Sequence, residues 1–98
     1  MREGFSYFRC IGLPFQISKH ELVEKLIEPE RFGIKSYGLI FVFEHGKFSG
    51  KAVLKVPAEF AEMILRKDRM YFGRRYVEIF QIHQEEYESQ REREDHLS

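Results

Sequence analysis

The stretch Ser49-Gly50-Lys51-Ala52-Val53-Leu54-Lys55-Val56 alternates with a period of two: Ala52, Leu54 and Val56 fall on one side, Lys51, Val53 and Lys55 on the other. That is the pattern of a half-buried strand with its apolar side in a core. Just upstream, Glu44-His45-Gly46-Lys47-Phe48-Ser49-Gly50 is a glycine-punctuated turn, and Tyr37-Gly38-Leu39-Ile40-Phe41-Val42-Phe43 is a continuous apolar run rich in β-formers. Together the three segments predict a β-hairpin. Pro57, which suits the opening of a helix, follows at once.

Working outward, Phe5-Ser6-Tyr7-Phe8-Arg9-Cys10-Ile11 predicts a first strand, with Phe8 and Cys10 on one side and Arg9 and Ile11 on the other. Gly12-Leu13-Pro14 stops it, because proline lacks the amide hydrogen a ladder needs. Ser18 followed three residues later by Glu21 is a capping-box signature, and Leu22, Val23, Leu26 and Ile27 continue at helical spacing. Glu28-Pro29-Glu30 ends that helix, and Phe32-Gly33 begins an irregular connection. From Pro57 to about Lys67, Phe60, Ala61, Ile64 and Leu65 form a second helical stripe, with Glu62 four residues before Arg66. Gly73 closes the next loop. Residues 75–82 alternate again as a last strand, Val77 and Ile79 facing one way, Glu78 and Phe80 the other.

The order is β-α-β-β-α-β. Short, right-handed connections then give an α+β, ferredoxin-like sandwich: a four-stranded antiparallel sheet with both helices on one face and the first and third strands in the middle. Residues 5–83 make the expected domain. Residues 84–98 are charged nearly all round, with Tyr87 and Leu97 as the only large apolar side chains. A third helix and a disordered tail both remain open for them.

Composition narrows the function classes. A chain of 98 residues, 43% hydrophobic and 15% aromatic, suits one domain that buries a core without staples. Cys10 is the only cysteine, which excludes an intrachain disulfide and fits a reducing compartment. No apolar run reaches the length of a membrane span and no secretory signal opens the chain, so a soluble domain without a membrane partner, and a piece of a longer protein, is expected. Residues 84–98 carry six carboxylates against Arg91 and Arg93, a net −4, which leaves +4 on residues 1–83. A basic body with an acidic tail is compatible with binding nucleic acid and with much else.

His20, His45, His83 and His96 are scattered singly, with no metal-ligand spacing to one another or to Cys10. No glycine-rich phosphate cradle, nucleophile elbow or carboxylate pair is present. The expectation is therefore a binding module without catalytic residue, cofactor or metal, and not an enzyme.

The opening stretch also has the place and outline of the third-strand signature of RNA-recognition motifs, which the chain resembles. In an ordinary motif of that kind, aromatic rings on the two central strands stack bases on the open sheet face. Here those positions are Arg9, Lys51 and Val53, and the loss of about 1–3 kcal/mol of stacking per base argues against sheet binding. Over residues 7–83 the chain resembles instead the quasi-RNA-recognition motifs (qRRMs) of the heterogeneous nuclear ribonucleoprotein F and H family and the related G-rich-sequence factors. The resemblance rests on Gly12-Leu13-Pro14-Phe15, on Gly46-Lys47-Phe48-Ser49-Gly50-Lys51-Ala52, and on the block from Lys67-Asp68-Arg69 through Gly73-Arg74-Arg75-Tyr76-Val77-Glu78-Ile79-Phe80.

That resemblance implies single-stranded, G-rich RNA bound by loops, within a nuclear or nucleocytoplasmic protein of pre-mRNA processing and splicing. The implied RNA-binding residues are Pro14, Phe15, Lys47, Arg69, Arg74, Arg75 and Tyr76. Guanine offers acceptors to a cation and a π-face to Phe15 or Tyr76, while Arg69 and Arg74 can neutralise phosphate. Two positions depart from the family: Ile11 stands where it has Arg, and Phe15 where it usually has Trp. The blander readings are a solvated basic loop at Arg74-Arg75-Tyr76 and core-edge packing for Phe15. The alternative function is a degenerate motif that binds protein, through an apolar sheet face of Ile11, Phe41, Val53 and Phe80, or through Arg69-Met70-Tyr71 as an Arg-x-aromatic loop.

Overall fold

The computed structural model of the chain describes residues 4–97, with side chains as far as residue 94. Strand β1 (Phe5–Ile11) has the expected bounds. Helix α1 (Lys19–Leu26) starts at Ser18, whose Oγ accepts the Glu21 amide hydrogen at 3.1 Å, so the capping signature acts as read. Leu22, Val23, Leu26 and Ile27 are all buried beneath it. The Glu28-Pro29 stop is followed by a further helical turn, α2 (Pro29–Phe32), which Gly33 ends at φ 67°.

Strand β2 (Gly38–Glu44) and strand β3 (Lys47–Pro57) form the hairpin. The expected seven-residue turn shrinks to His45-Gly46, both at positive φ, the tight form favoured between twisted strands. The remaining residues pair: Glu44 lies opposite Lys47 and Phe43 opposite Phe48, and Ser49-Gly50 form a bulge at the Val42/Phe43 register shift. Ser49 Oγ donates to the Val42 carbonyl at 2.7 Å across this irregularity.

The second helical region is shorter than its stripe, a 3₁₀ turn at Ala58–Phe60 leading into α3 (Ala61–Leu65). Ala61 and Ile64 are buried, whereas Leu65 is exposed. The last strand is divided: β4 (Tyr71–Phe72) and β5 (Arg75–Tyr76) make a small hairpin of their own, and β6 (Glu78–Ile82) joins the main sheet. Val77, at the break, donates its amide hydrogen to Met70 O and accepts one from Arg69 N.

The main sheet runs β2-β3-β1-β6, all neighbours antiparallel, with β1 and β3 in the middle as expected. On its helix side Phe8, Cys10, Leu39, Leu54, Val56 and Ile79 pack against α1 and α3 residues. The acidic tail forms a helix, α4 (Gln84–Leu97). It lies on the other side of the sheet, where Tyr87 joins Tyr7, Ile40, Val42 and Val53 in a second apolar cluster. The expected apolar side chain of Leu97 and the lone His96 fall outside the described side chains.

This arrangement corrects the outward face. Phe41 points to the helix side, against the main core and Phe48; Ile40 and Val42 face outward instead. Val53 faces outward as read but is 1% exposed, because α4 covers it. Phe80 alone of the four expected patch residues stays substantially open, with the Arg9 guanidinium 6.0 Å from its ring.

Candidate nucleic-acid interface

None of the three sheet positions that carry rings in ordinary RNA-recognition motifs is free. Arg9 Nη1 is ion-paired with Glu86 of α4 at 3.1 Å, and Lys51 Nζ with Glu44 at 3.3 Å. Val53 is sealed under Tyr87, whose ring centroid sits 5.4 Å from that of Tyr7. Burial, seconded by the neighbouring Glu88 charge, raises the pKa of the Tyr87 phenol. Cys10, under the sheet, is pushed up to about 12 by burial and, secondarily, by Asp68, which holds it as an unreactive thiol.

Phe15, Phe43, Tyr71 and Tyr76, four of the exposed aromatic rings, sit on or beside the three loops that follow β1, join β2 to β3 and precede β6, and two glycines draw these loops together. Gly12 has φ 87°, and a Cβ on it would stand 3.0 Å from the Tyr76 carbonyl oxygen; the loop after β1 thus lies directly on the β5–β6 link. Gly50 has φ 82°, and its Cβ would meet Leu13 O at 3.2 Å and a Phe15 ring carbon at 3.8 Å. The Leu13 amide hydrogen is donated to Gly50 O at 2.9 Å. The β3 bulge therefore docks the same loop from the opposite side.

Phe15, 63% exposed, is held between these neighbours. Its ring meets Phe48 edge-on at 6.2 Å, and the Arg75 guanidinium lies 5.7 Å from its centroid. Phe48 also touches Phe43 at 6.1 Å, which is itself 48% exposed. Tyr76 carries the Arg69 guanidinium at 5.4 Å and meets the Tyr71 ring at 6.1 Å. The sequence-predicted Phe15, Arg69, Arg75 and Tyr76 thus converge in two cation-and-ring units.

Lys47 projects from the adjoining hairpin and Arg74 from the Gly73 turn, both exposed. Among the described residues, none of Lys47, Arg69, Arg74 and Arg75 has a carboxylate within ion-pair distance. Four cations without counter-charge beside open rings can hold an anionic, base-bearing strand. Pro14, the chain neighbour of Phe15, borders an open cleft of about 300 Å³ with Ile17, Lys25 and Phe72. Phe43, Phe48 and Tyr71 were not singled out as RNA contacts. For Phe43 and Phe48 the sequence signal is an aromatic at a turn-flanking position, and pairing partners decide where such a ring points; Tyr71 stands out only as the aromatic of Arg69-Met70-Tyr71, on the protein-binding alternative.

The Lys67-Asp68-Arg69 run divides its labour. Lys67 Nζ donates to Lys25 O at 2.8 Å and Leu26 O at 2.9 Å, closing the C-terminus of α1, and pairs with Glu28 at 2.6 Å. Asp68 Oδ1 accepts the Ile79 amide hydrogen at 2.8 Å. Both residues anchor the loop, and Arg69, at φ 70°, is the one that reaches the rings.

The RRM domain family model matches residues 8–91. Among solved structures, the Glorund qRRM2 domain superposes with a TM-score of 0.72 at 24% identity, covering 89% of this chain and 99% of that one. A G-rich RNA sequence binding factor 1 from Homo sapiens gives 0.70 at 24% identity and 96% coverage of both chains. The Glorund qRRM3 domain gives 0.62 at 23%, covering 79% of this chain and 92% of that one. At these identities the likeness is one of fold. No curated protein matches the chain.

Proposed function

Because the chain belongs to the RRM domain family of RNA-binding modules, we propose that it binds single-stranded, G-rich RNA through its loops rather than its sheet, within a nuclear protein of pre-mRNA processing. One observation carries this reading. On the sheet face α4 covers the central position Val53, with Val53 and Tyr87 at 1% and 4% exposure, while Phe15 and Tyr76 stand open at 63% and 46% with a guanidinium against each ring.

Single-stranded RNA is bound where bases can be splayed out and stacked, and each stacked base contributes about 1–3 kcal/mol. Arg75 beside Phe15 and Arg69 beside Tyr76 offer a π-face and donors together, a combination that suits guanine's O6 and N7 acceptors. Lys47 and Arg74 supply phosphate neutralisation at the rim. The solved neighbours include a protein whose name describes binding of a G-rich RNA sequence, which agrees with this choice of ligand.

The test is a titration of a labelled G-tract oligonucleotide, with a U-rich control, followed by amide chemical shifts. Residues 12–16, 44–50 and 69–76 should move, and affinity should fall steeply with salt. Arg75→Ala with Tyr76→Ala should abolish binding in a folded domain, whereas Lys51→Ala, whose partner is Glu44, should change little. Shifts confined to residues 9, 53 and 80, or equal losses from both sets of substitutions, would refute loop binding.

A further inference from the structure

The β4–β5 hairpin has two faces. Tyr71 pairs across with Tyr76, and Phe72 with Arg75. Alternation along strands places the two tyrosines on one face and Phe72 with Arg75 on the other. The contacts agree: Tyr71 and Tyr76 touch at 6.1 Å with Arg69 beside them, whereas Phe72 enters the core and Arg75 reaches Phe15. Each face therefore carries its own guanidinium against its own exposed ring.

Tyr71 is 66% exposed, more than any other large apolar side chain among the described residues, and it belongs to neither core cluster. The turn does not need it either, since Gly73 at φ 67° supplies the required geometry. Its ring stands at 67° to that of Tyr76, so the pair forms an open corner in which a flat base can lie on one ring and meet the edge of the other.

We infer that Tyr71, with Tyr76 and Arg69, forms a second base-stacking station for single-stranded RNA, separate from the Phe15–Arg75 station on the opposite face of the hairpin. The inference rests on the RNA-binding reading above. A strand that fills both stations crosses the hairpin between them, so at least two bases of one molecule are held apart. Ring stacking tolerates any base, so Tyr71 itself adds affinity without selecting sequence, and any preference for guanine at this station comes from Arg69.

The experiment measures affinity for a labelled twelve-nucleotide RNA with a central G-tract, using wild type, Tyr71→Ala, Tyr71→Phe and Phe15→Ala. Melting temperatures serve as the folding control, which exposed Tyr71 should pass unchanged. Tyr71→Ala should weaken binding about tenfold, a loss within the range of one stacked base, and Tyr71→Phe should stay within about twofold because the ring remains. Ultraviolet cross-linking of the wild-type complex should label both Tyr71 and Phe15. If Phe15→Ala loses affinity while Tyr71→Ala binds like wild type, the second station falls and loop binding stands. Equal losses in Tyr71→Ala and Tyr71→Phe overturn stacking as its cause. Wild-type protein that binds no RNA overturns both readings.

Discussion

Gly38 gives direct control over α4. It opens β2 with its backbone outside the left-handed region, so alanine there carries no dihedral strain and ought to favour the strand. Yet a Cβ on Gly38 would collide with the Tyr87 hydroxyl and lie 3.1 Å from Tyr87 Cζ and 3.6 Å from Lys55 Cβ. The phenol cannot step aside freely, since it is packed among Tyr7, Ile40, Val42 and Val53. Overpacking of this kind costs about 1–3 kcal/mol. The ceiling is set by lifting the ring off the sheet altogether, which forfeits about 1.5–3 kcal/mol of burial. Gly38→Ala should therefore destabilise by about 2 kcal/mol, which for a domain of this size lowers Tm by about 8–16 °C. Thermal unfolding followed by circular dichroism gives the shift, and faster amide exchange in residues 84–94 locates it. Tyr87→Phe removes the colliding oxygen, so the double variant should recover more than half of the loss. A Gly38→Ala protein melting within about 2 °C of wild type would refute the contact. So would an undiminished loss when Gly38→Ala is added to Tyr87→Phe, which would separate the effect from the hydroxyl.

Lys67, Gly12 and Gly33 make further sharp predictions. Lys67→Met strips a cation from two α1 carbonyls and Glu28 and should cost about 2 kcal/mol by thermal unfolding. The hydrogen bond from Lys67 lowers the Glu28 pKa, more than desolvation raises it, so Glu28 stabilises the fold above its unfolded carboxylate range and that contribution is lost as pH falls. Tm should accordingly fall as pH drops from that range down through the lowered Glu28 pKa in wild type, and fall less in Lys67→Met. Gly12→Ala, strained at φ 87° and pressed on the Tyr76 carbonyl, should lower Tm and also weaken G-tract binding by moving Phe15 away from Arg75. Gly33→Ala, with similar φ but open space, should lower Tm alone.

The parts of the fold that depend on local chemistry were legible. The β1 bounds follow from alternation ended by Gly-Leu-Pro, and the α1 start from Ser18 and Glu21. Phe41 was not, because Leu39-Ile40-Phe41-Val42 is apolar at every position and shows no period of two. Its direction follows from pairing with Ala52, and burial of Ile40 and Val42 opposite follows from α4, whose sparse apolar content left helix and disorder equally open. The last strand looked continuous because Val77 keeps the alternation; its division comes from backbone bonds to Arg69 and Met70. In the site, resemblance to the qRRM family pointed to Phe15, Arg69, Arg75 and Tyr76, which converge in the structure, and to Pro14, which lines the neighbouring cleft. Phe43 and Phe48 were hidden, since a bulge decides where they point, and Tyr71 was legible only as part of an Arg-x-aromatic loop, its pairing with Tyr76 being set by a two-residue turn.

The path of α4 gives this protein a polarity that its formal charge of zero conceals. Glu85, Glu86, Glu88, Glu92 and Glu94 ride on a helix laid over one side of the molecule, while Lys47, Arg69, Arg74 and Arg75 crowd one end of the loops. Arg91 and Arg93 on the helix and the Arg9–Glu86 and Arg91–Glu88 pairs offset part of that negative charge, so a polyanion near the domain would meet a residual repulsion from the first group and attraction from the second. On the loop-binding reading proposed above, the helix acts at a distance as well as by covering part of the sheet: it would turn an incoming chain of phosphates toward the loop end, and added salt should blur that orientation along with the affinity.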